Sequence, residues 1–177
     1  MRSCNAVYCN DDARHGNLLA LREHDPISAM KAILVILIGV SGSGKSTYAE
    51  ALKTSLGVTV VSTDDIRFEL TRDATDQSRN NEVFNIAKRR VSDLLASGKN
   101  AAIDATSVSR KDRRDWVDIG KRFGADIRAY VINTPLDVAK KRNLGRDRKV
   151  PEFVIDKQYS RFQTPVEAEG FDKITAV

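Results

Sequence analysis

A glycine-rich segment, GVSGSGKST at residues 39–47, follows directly on the apolar run KAILVILI. The run is short and almost entirely apolar, which predicts a strand buried on both faces of a parallel sheet. The residues from 45 to 57, KSTYAEALKTSLG, predict a helix that ends at Gly57. Glycines between a strand and a helix let the backbone curl so that several N–H groups point at one anion. This junction limits the chain to folds in which a buried strand meets a helix through an anion-binding turn.

The segment fits the P-loop pattern G-x-x-x-x-G-K-[ST], with Gly39, Gly44, Lys45 and Ser46 at its fixed positions. The pattern predicts that Lys45 reaches the β- and γ-phosphates of a nucleotide and that the Ser46 hydroxyl holds a metal ion. The alternative is a glycine-rich turn that binds no nucleotide. Because both the pattern and its position between a strand and a helix fit a P-loop, we predict ATP and Mg²⁺ as cofactors. The predicted nucleotide contacts in the loop are Gly39, Val40, Ser41, Gly42, Ser43, Gly44, Lys45, Ser46 and Thr47.

Strand-like and helix-like stretches alternate along the rest of the chain. The further predicted strands are VTVVS, NAAIDAT, DIRAYVI and DKITAV, at residues 58–62, 100–106, 126–132 and 172–177. The further predicted helices cover residues 64–71, 81–97, 109–123, 135–143 and 151–162. This alternation predicts an α/β P-loop NTPase fold, a parallel β-sheet with helices on both faces and a helical lid. Ligands in such folds lie at the carboxyl ends of the strands.

Length and composition fit one domain and a dissimilar extension. The chain has 177 residues, of which 41% are hydrophobic and 30% charged, and no apolar run approaches the ~20 residues of a membrane span. Residues 1–29 are polar and aperiodic, and they hold both cysteines and both histidines at spacings that fit no standard zinc finger. We expect them to be a disordered or loosely docked extension of a domain at residues 30–177. We expect a cytoplasmic protein without a membrane partner, and the oligomeric state stays open.

Two carboxylates and an arginine follow the second predicted strand in the sequence STDDIR. The end of this strand should lie near the P-loop, so Asp64 is a candidate base for the proton of a hydroxyl acceptor. Arg67 lies one helical turn later, and its planar guanidinium suits a phosphate on the acceptor. The alternative is that Asp64 caps a short helix. Asp65 fits the role of cap or local ion-pair partner better.

Asp104 closes the third predicted strand in the sequence AAIDAT. A carboxylate beside a P-loop can hold Mg²⁺ through water or orient a basic group. The alternative is an aspartate that only forms a local turn.

Basic residues are concentrated in KKRNLGRDRKVP, which starts at Lys140. Arg142 and Arg146 are spaced i, i+4 with Gly145 between them, which indicates a mobile lid that closes over ATP and neutralises charge on the transferred group. The group at residues 110–114 is interrupted by acids and predicts a solvated helix face. The net charge of +5 permits a polyanionic partner.

Four blocks together resemble the polynucleotide 5′-hydroxyl kinase family: GVSGSGKST, STDDIR, IDATSVSRKDRR and KRNLGRDRKVP. The likeness covers residues 31–159, in the family's order. It implies ATP-dependent phosphoryl transfer to the 5′-hydroxyl end of DNA or RNA, with Asp64 as general base. The implied roles are catalysis by Lys45, Asp64 and Arg146, nucleotide binding by Arg142, substrate binding by Arg67 and Asp104, and metal binding by Ser46.

Other functions use the same P-loop. A small-metabolite kinase resembling gluconate, adenylylsulfate or nucleotide-sugar kinases would share its phosphate chemistry. The third hypothesis is a nucleotide-driven switch or a subunit that docks on nucleic acid, without transfer to an acceptor. The third block has DATSV where the family pattern has an asparagine, so the sequence leaves the acceptor open.

Overall fold

A computed structural model describes residues 31–146 and 148–177. The predicted extension at residues 1–29 lies outside the described residues. Within them, no helix combines the length and the apolar character needed to cross a bilayer.

The described residues form an alternation of strands and helices. The strands are β1 (Ile33–Ile38), β2 (Thr59–Ser62), β3 (Ala101–Asp104), β4 (Asp126–Val131) and β5 (Lys173–Ala176). The helices are α1 (Lys45–Leu56), α2 (Thr63–Thr71), α3 (Asn80–Ala96), α4 (Arg110–Arg122), α5 (Leu136–Leu144) and α6 (Glu152–Ser160). Every predicted element is present, with ends that differ by at most two residues. A 3₁₀ turn at Glu167–Glu169 was not predicted.

The five strands form one parallel sheet in the order β2-β3-β1-β4-β5. The chain moves outward from β1 to β2, returns to β3 and then crosses to β4. The strand order therefore reverses around β1, and ligands of open parallel sheets bind at such a reversal. Because all strands point the same way, the residues that follow β1, β2 and β3 meet at one edge.

Helices cover both faces of the sheet. Leu34, Ile36 and Ile38 of β1 lie in one core cluster, together with apolar residues of α3 and α4. Val35 and Leu37 lie in a second cluster on the opposite face, against α1. The alternating side chains of one strand thus contribute to two cores, as expected for a strand buried on both faces.

The helices α5 and α6 form the predicted lid beside the P-loop. Buried apolar side chains join them to the loop in a small cluster of Val40, Val108, Ala139 and Ile155. The side chain of Asn143 donates to the Val150 carbonyl at 2.7 Å and accepts from the Val150 N–H at 2.9 Å. These two bonds close the segment between the two helices at its base.

The basic group of α4 is not a simple solvated face, because Arg113 is fully buried. Its guanidinium makes two 2.8 Å hydrogen bonds to the Glu169 carboxylate. It also donates to the carbonyls of Ser107, Val108 and Gln163. Arg113 therefore ties the segment after α6 to the loop between β3 and α4, and the prediction of a solvated face is wrong for this residue.

Candidate active site

The P-loop curls at glycines that no other residue replaces easily. Gly42 and Gly44 have positive φ angles of 82° and 102°, a region that side chains with a Cβ rarely adopt. A Cβ atom on Gly42 would lie 2.3 Å from the Ala139 carbonyl oxygen of α5. The loop is therefore packed directly against the lid helix, which fits the tight backbone cradle that a polyphosphate needs.

The residues of the P-loop have two kinds of surroundings. Ser41, Gly42 and the residues from Gly44 to Thr47 line a large cleft. Val40 and Ser43 are buried in the core instead, and the Gly39 N–H donates to the Thr106 carbonyl at 3.3 Å. Gly39, Val40 and Ser43 thus support the loop, while the other predicted nucleotide contacts face the cleft.

The Lys45 side chain is buried and bonds back to the P-loop backbone. The side chain is only 9% exposed, and its ammonium donates to the Val40 carbonyl at 2.8 Å. Burial lowers the pKa of Lys45 from 10.5 to about 8, although the nearby Asp104 and Asp64 carboxylates oppose this effect and the charge of Arg146 adds to it. The four charged groups are thus close enough to influence one another electrostatically.

Ser46 and Asp104 lie side by side at the start of α1 and the end of β3. The Ser46 hydroxyl donates to the Asp104 carboxylate at 2.7 Å. A hydroxyl and a carboxylate are the oxygen ligands that Mg²⁺ prefers. The pair fits a Mg²⁺ site beside the P-loop, and it shows that Asp104 does more than form a local turn.

Asp64 is not the cap of α2. The N-cap is Ser62, whose side chain accepts from the Asp65 N–H at 3.2 Å. Asp65 contributes this N–H and not its carboxylate, so neither aspartate caps the helix. The Asp64 side chain is 44% exposed and lines the cleft. Its carboxylate faces the cleft, where both of its oxygens accept from arginine side chains.

Arg67 forms an ion pair with Asp64 one helical turn earlier on α2. Its side chain is only 5% exposed. One terminal nitrogen donates to Asp64 Oδ1 at 2.7 Å, and the other donates to the Asn80 side chain at 3.0 Å. Burial and two bonds fix the guanidinium at the floor of the cleft, beside the carboxylate.

Three arginines of the lid reach the cleft. Arg142 donates to the Ser43 carbonyl of the P-loop at 3.1 Å. Arg146 lines the cleft. Arg148 donates to Asp64 Oδ2. Arg148 was not among the predicted site residues, because a basic segment does not reveal which of its arginines reaches which acid.

Gln158 of α6 was also missed. Its side-chain oxygen accepts from the Ser41 N–H at 2.8 Å. The two residues are 117 positions apart, and no local pattern connects them. This bond docks the lid helix onto the nucleotide loop.

A cleft of about 1450 Å³ brings the predicted residues together. It exceeds the ~300–1,000 Å³ that is typical of a site for one small ligand. Its lining contains these predicted site residues: Ser41, Gly42, Gly44, Lys45, Ser46, Thr47, Asp64, Arg67, Asp104, Arg142 and Arg146. A second cavity, of about 400 Å³ beside α4, contains none of them.

Comparison with known proteins gives the family. Residues 34–165 match the family described as an AAA domain. The chain belongs to this family. It is 26% identical over 149 residues to the bifunctional polynucleotide phosphatase/kinase of Schizosaccharomyces pombe, a match that covers 81% of this chain and 33% of that protein. It is 29% identical over 170 residues to the adenylyl-sulfate kinase of Penicillium chrysogenum, covering 87% and 79%.

Among solved structures, the chain is similar to one in the Pnkp1/Rnl/Hen1 RNA repair complex. The TM-score is 0.67 at 27% identity, and the match covers 75% of this chain and 44% of that chain. The chain thus spans a third of the polynucleotide phosphatase/kinase and less than half of the repair-complex subunit. The predicted P-loop kinase fold and the likeness to polynucleotide kinases are confirmed. The kinase relatives support ATP-dependent phosphoryl transfer.

Proposed function

We propose that the protein transfers the terminal phosphoryl group of ATP to the 5′-hydroxyl end of DNA or RNA. The observation that carries this proposal is the position of Asp64. Its carboxylate lines the same cleft as Lys45 and accepts from the buried Arg67 at 2.7 Å. A base that shares a cleft with a phosphate-binding lysine and a buried arginine suits a hydroxyl that has a phosphate as its neighbour.

The chemistry divides among the residues as follows. The backbone of residues 39–47 and the ammonium of Lys45 bind the ATP phosphates, since both present donors to anions. The acceptor oxygen attacks the terminal phosphorus, the bond to the bridging oxygen breaks, ADP leaves, and Asp64 takes the hydroxyl proton. Mg²⁺, held by Ser46 and by Asp104 through water, would neutralise phosphate charge. Arg142 and Arg146 of the lid would stabilise the charge on the transferred group.

Arg67 supports an acceptor that carries a phosphate. Desolvating a guanidinium is costly unless an anion pairs with it, and here Arg67 shares the single carboxylate of Asp64 with a second arginine, Arg148. The acceptor phosphate next to the 5′-hydroxyl would be the second anion. Substrate binding by Arg67 is therefore the part of the proposal that distinguishes a polynucleotide from a neutral alcohol.

A small-metabolite kinase is the second candidate. It is favoured by the extent of the match to the adenylyl-sulfate kinase, which covers 79% of that protein. In that case the same P-loop residues would bind ATP, and the space beside Asp64 and Arg67 would hold a small anionic alcohol.

Transfer of labelled phosphate from ATP distinguishes a polynucleotide kinase from a small-metabolite kinase. A 5′-hydroxyl oligonucleotide, gluconate and adenylyl sulfate would each be offered with Mg²⁺ at increasing salt. We expect labelling of the oligonucleotide, with a steep decrease in affinity as salt rises. Labelling of a metabolite without labelling of the oligonucleotide would reject the proposal.

We also propose that residues 30–177 are the P-loop kinase domain and that residues 1–29 are not needed for catalysis. Removal of residues 1–29, which leaves Met30 as the start, should preserve the transfer activity. A loss of activity or of bound zinc in the shortened protein would contradict this assignment.

A further inference from the structure

Both oxygens of the Asp64 carboxylate are paired with arginines. Arg67 donates to Oδ1 at 2.7 Å, and Arg148 donates to Oδ2. Each of these oxygens has one further lone pair, but the guanidinium groups crowd the approach of a hydroxyl to both of them. Departure of one arginine would leave one oxygen fully open to an acceptor hydroxyl.

The two arginines differ in how firmly they are held. Arg67 lies in α2, is 5% exposed and is also fixed by Asn80. Arg148 is 28% exposed and lies in the segment between α5 and α6. The bonds between Asn143 and Val150 hold that segment at its base, and these bonds do not involve the Arg148 side chain. Arg148 is thus the partner that can leave the carboxylate.

We propose that Arg148 is a further acceptor-binding residue, which exchanges the Asp64 carboxylate for the phosphate next to the acceptor hydroxyl. The inference rests on the proposed function, and it adds a residue that neither the motifs nor the relatives assigned. A guanidinium binds phosphate oxygens with two parallel N–H groups, so the phosphate offers Arg148 an equivalent anionic partner. The exchange frees Asp64 Oδ2 for the proton.

This exchange would make acceptor choice depend on charge. An acceptor with a neighbouring phosphate draws Arg148 away and exposes the base. Water or a neutral alcohol offers no anion, so Asp64 stays paired on both oxygens. The lid arginine would thus favour phosphorylated acceptors over neutral ones and suppress transfer to water.

The smallest acceptors that test this are a nucleoside 3′-monophosphate and the same nucleoside without phosphate. Their kcat and KM would be measured for the wild type, Arg148→Ala, Arg148→Lys and the control Lys141→Ala. Lys141 is exposed on α5 and does not line the cleft, so its removal changes the lid charge by the same amount. Thermal unfolding would show whether all four proteins fold.

We expect the wild type to prefer the phosphorylated nucleoside. Arg148→Ala should reduce the ratio of kcat/KM between the two acceptors by about tenfold or more, mainly through a higher KM for the phosphorylated one. Arg148→Lys should keep part of the preference, because a lysine binds phosphate as a point charge. Lys141→Ala should keep all of it. An unchanged ratio in Arg148→Ala would overturn the inference.

Failure of the proposed function gives a different result. The wild type would then phosphorylate neither nucleoside but would label a metabolite. In that case the rate of ATP hydrolysis without any acceptor tests whether Arg148 restrains Asp64. A rise of several-fold in Arg148→Ala, with Lys141→Ala unchanged, supports release of Asp64 by loss of Arg148. Hydrolysis that is unchanged or lower in Arg148→Ala rejects it.

Discussion

The Ser46 hydroxyl donates a 2.7 Å hydrogen bond to the Asp104 carboxylate, and so joins the first turn of α1 to the end of β3. The two residues are 58 positions apart in the chain. Because β1 and β3 are neighbours in the sheet, the P-loop and this carboxylate meet at one edge. The pair places two oxygen ligands directly beside the phosphate cradle.

Asp104→Asn should weaken the use of Mg²⁺. If Asp104 holds the ion through water, an amide in its place should reduce metal affinity by about 10–100-fold. The Mg²⁺ concentration that gives half-maximal transfer would therefore rise, while the maximal rate at high Mg²⁺ recovers in part. Titration of activity with Mg²⁺ measures this. Asp65→Asn, which changes an exposed carboxylate outside the cleft, should leave the titration unchanged.

Asp64→Asn should abolish transfer. The amide cannot take the hydroxyl proton, and loss of a general base costs about 10²–10⁴-fold in rate. ATP binding, measured by calorimetry, should persist, because the P-loop is unchanged. Here too Asp65→Asn is the matched control on the same helical turn. Turnover near the wild-type level in Asp64→Asn would show that this carboxylate has only a structural role.

Lys45 should make stability depend on pH. Its pKa in the folded protein is lowered from 10.5 to about 8 by burial. Between these two values the unfolded chain binds more protons than the folded protein, so the free energy of unfolding gains a positive contribution as the pH rises. Lys45→Met removes this contribution. Urea denaturation at both ends of the window should therefore show wild-type stability increasing with pH relative to the variant.

Parallel stability profiles of the two proteins would contradict the lowered pKa of Lys45. An independent measurement is the affinity for ATP. The free protein loses the ammonium charge as the pH rises above about 8, so ATP should bind more weakly there. In Lys45→Met the affinity should be low and should not change with pH over the same range.

Gly42→Ala should displace the P-loop from α5. The residue has a φ of 82°, and a Cβ atom would approach the Ala139 carbonyl oxygen to 2.3 Å. Positive φ alone costs about 1–2 kcal/mol for a residue with a side chain. Gly57→Ala isolates that cost, since Gly57 has a φ of 61° and nothing within 4 Å of the added atom.

We expect both glycine variants to lower the melting temperature and only Gly42→Ala to weaken ATP binding. The added contact at Gly42 acts on the phosphate cradle, whereas Gly57 ends α1 far along the helix. Equal ATP affinities in the two variants would show that the loop tolerates the added methyl group.

The structure agrees with the sequence-based predictions where a local pattern determines it. The P-loop spacing, the apolar β1 and the helix predicted at residues 109–123 depend on residues close in the chain. The sequence left open whether Asp64 caps α2, because serine and aspartate are about equally good N-caps, and the structure shows that Ser62 is the cap.

The remaining contacts of the site depend on residues far apart. Arg148 and Asp64 are separated by 84 positions, and Gln158 and Ser41 by 117. A basic segment predicts a cationic lid, but it does not determine which arginine meets which acid. The burial of Arg113 was missed for the same reason, since its partner Glu169 is 56 positions away.

Arg113 also links the tail of the chain to the nucleotide loop. The carbonyls of Val108 and Gln163 both accept from its guanidinium, and the nearby Thr106 carbonyl accepts from the Gly39 N–H. A displacement of residues 163–169 would thus move Arg113 and, with it, the loop between β3 and α4 that binds the first glycine of the P-loop. Distant substitutions in that tail are therefore expected to alter nucleotide affinity without touching any ligand.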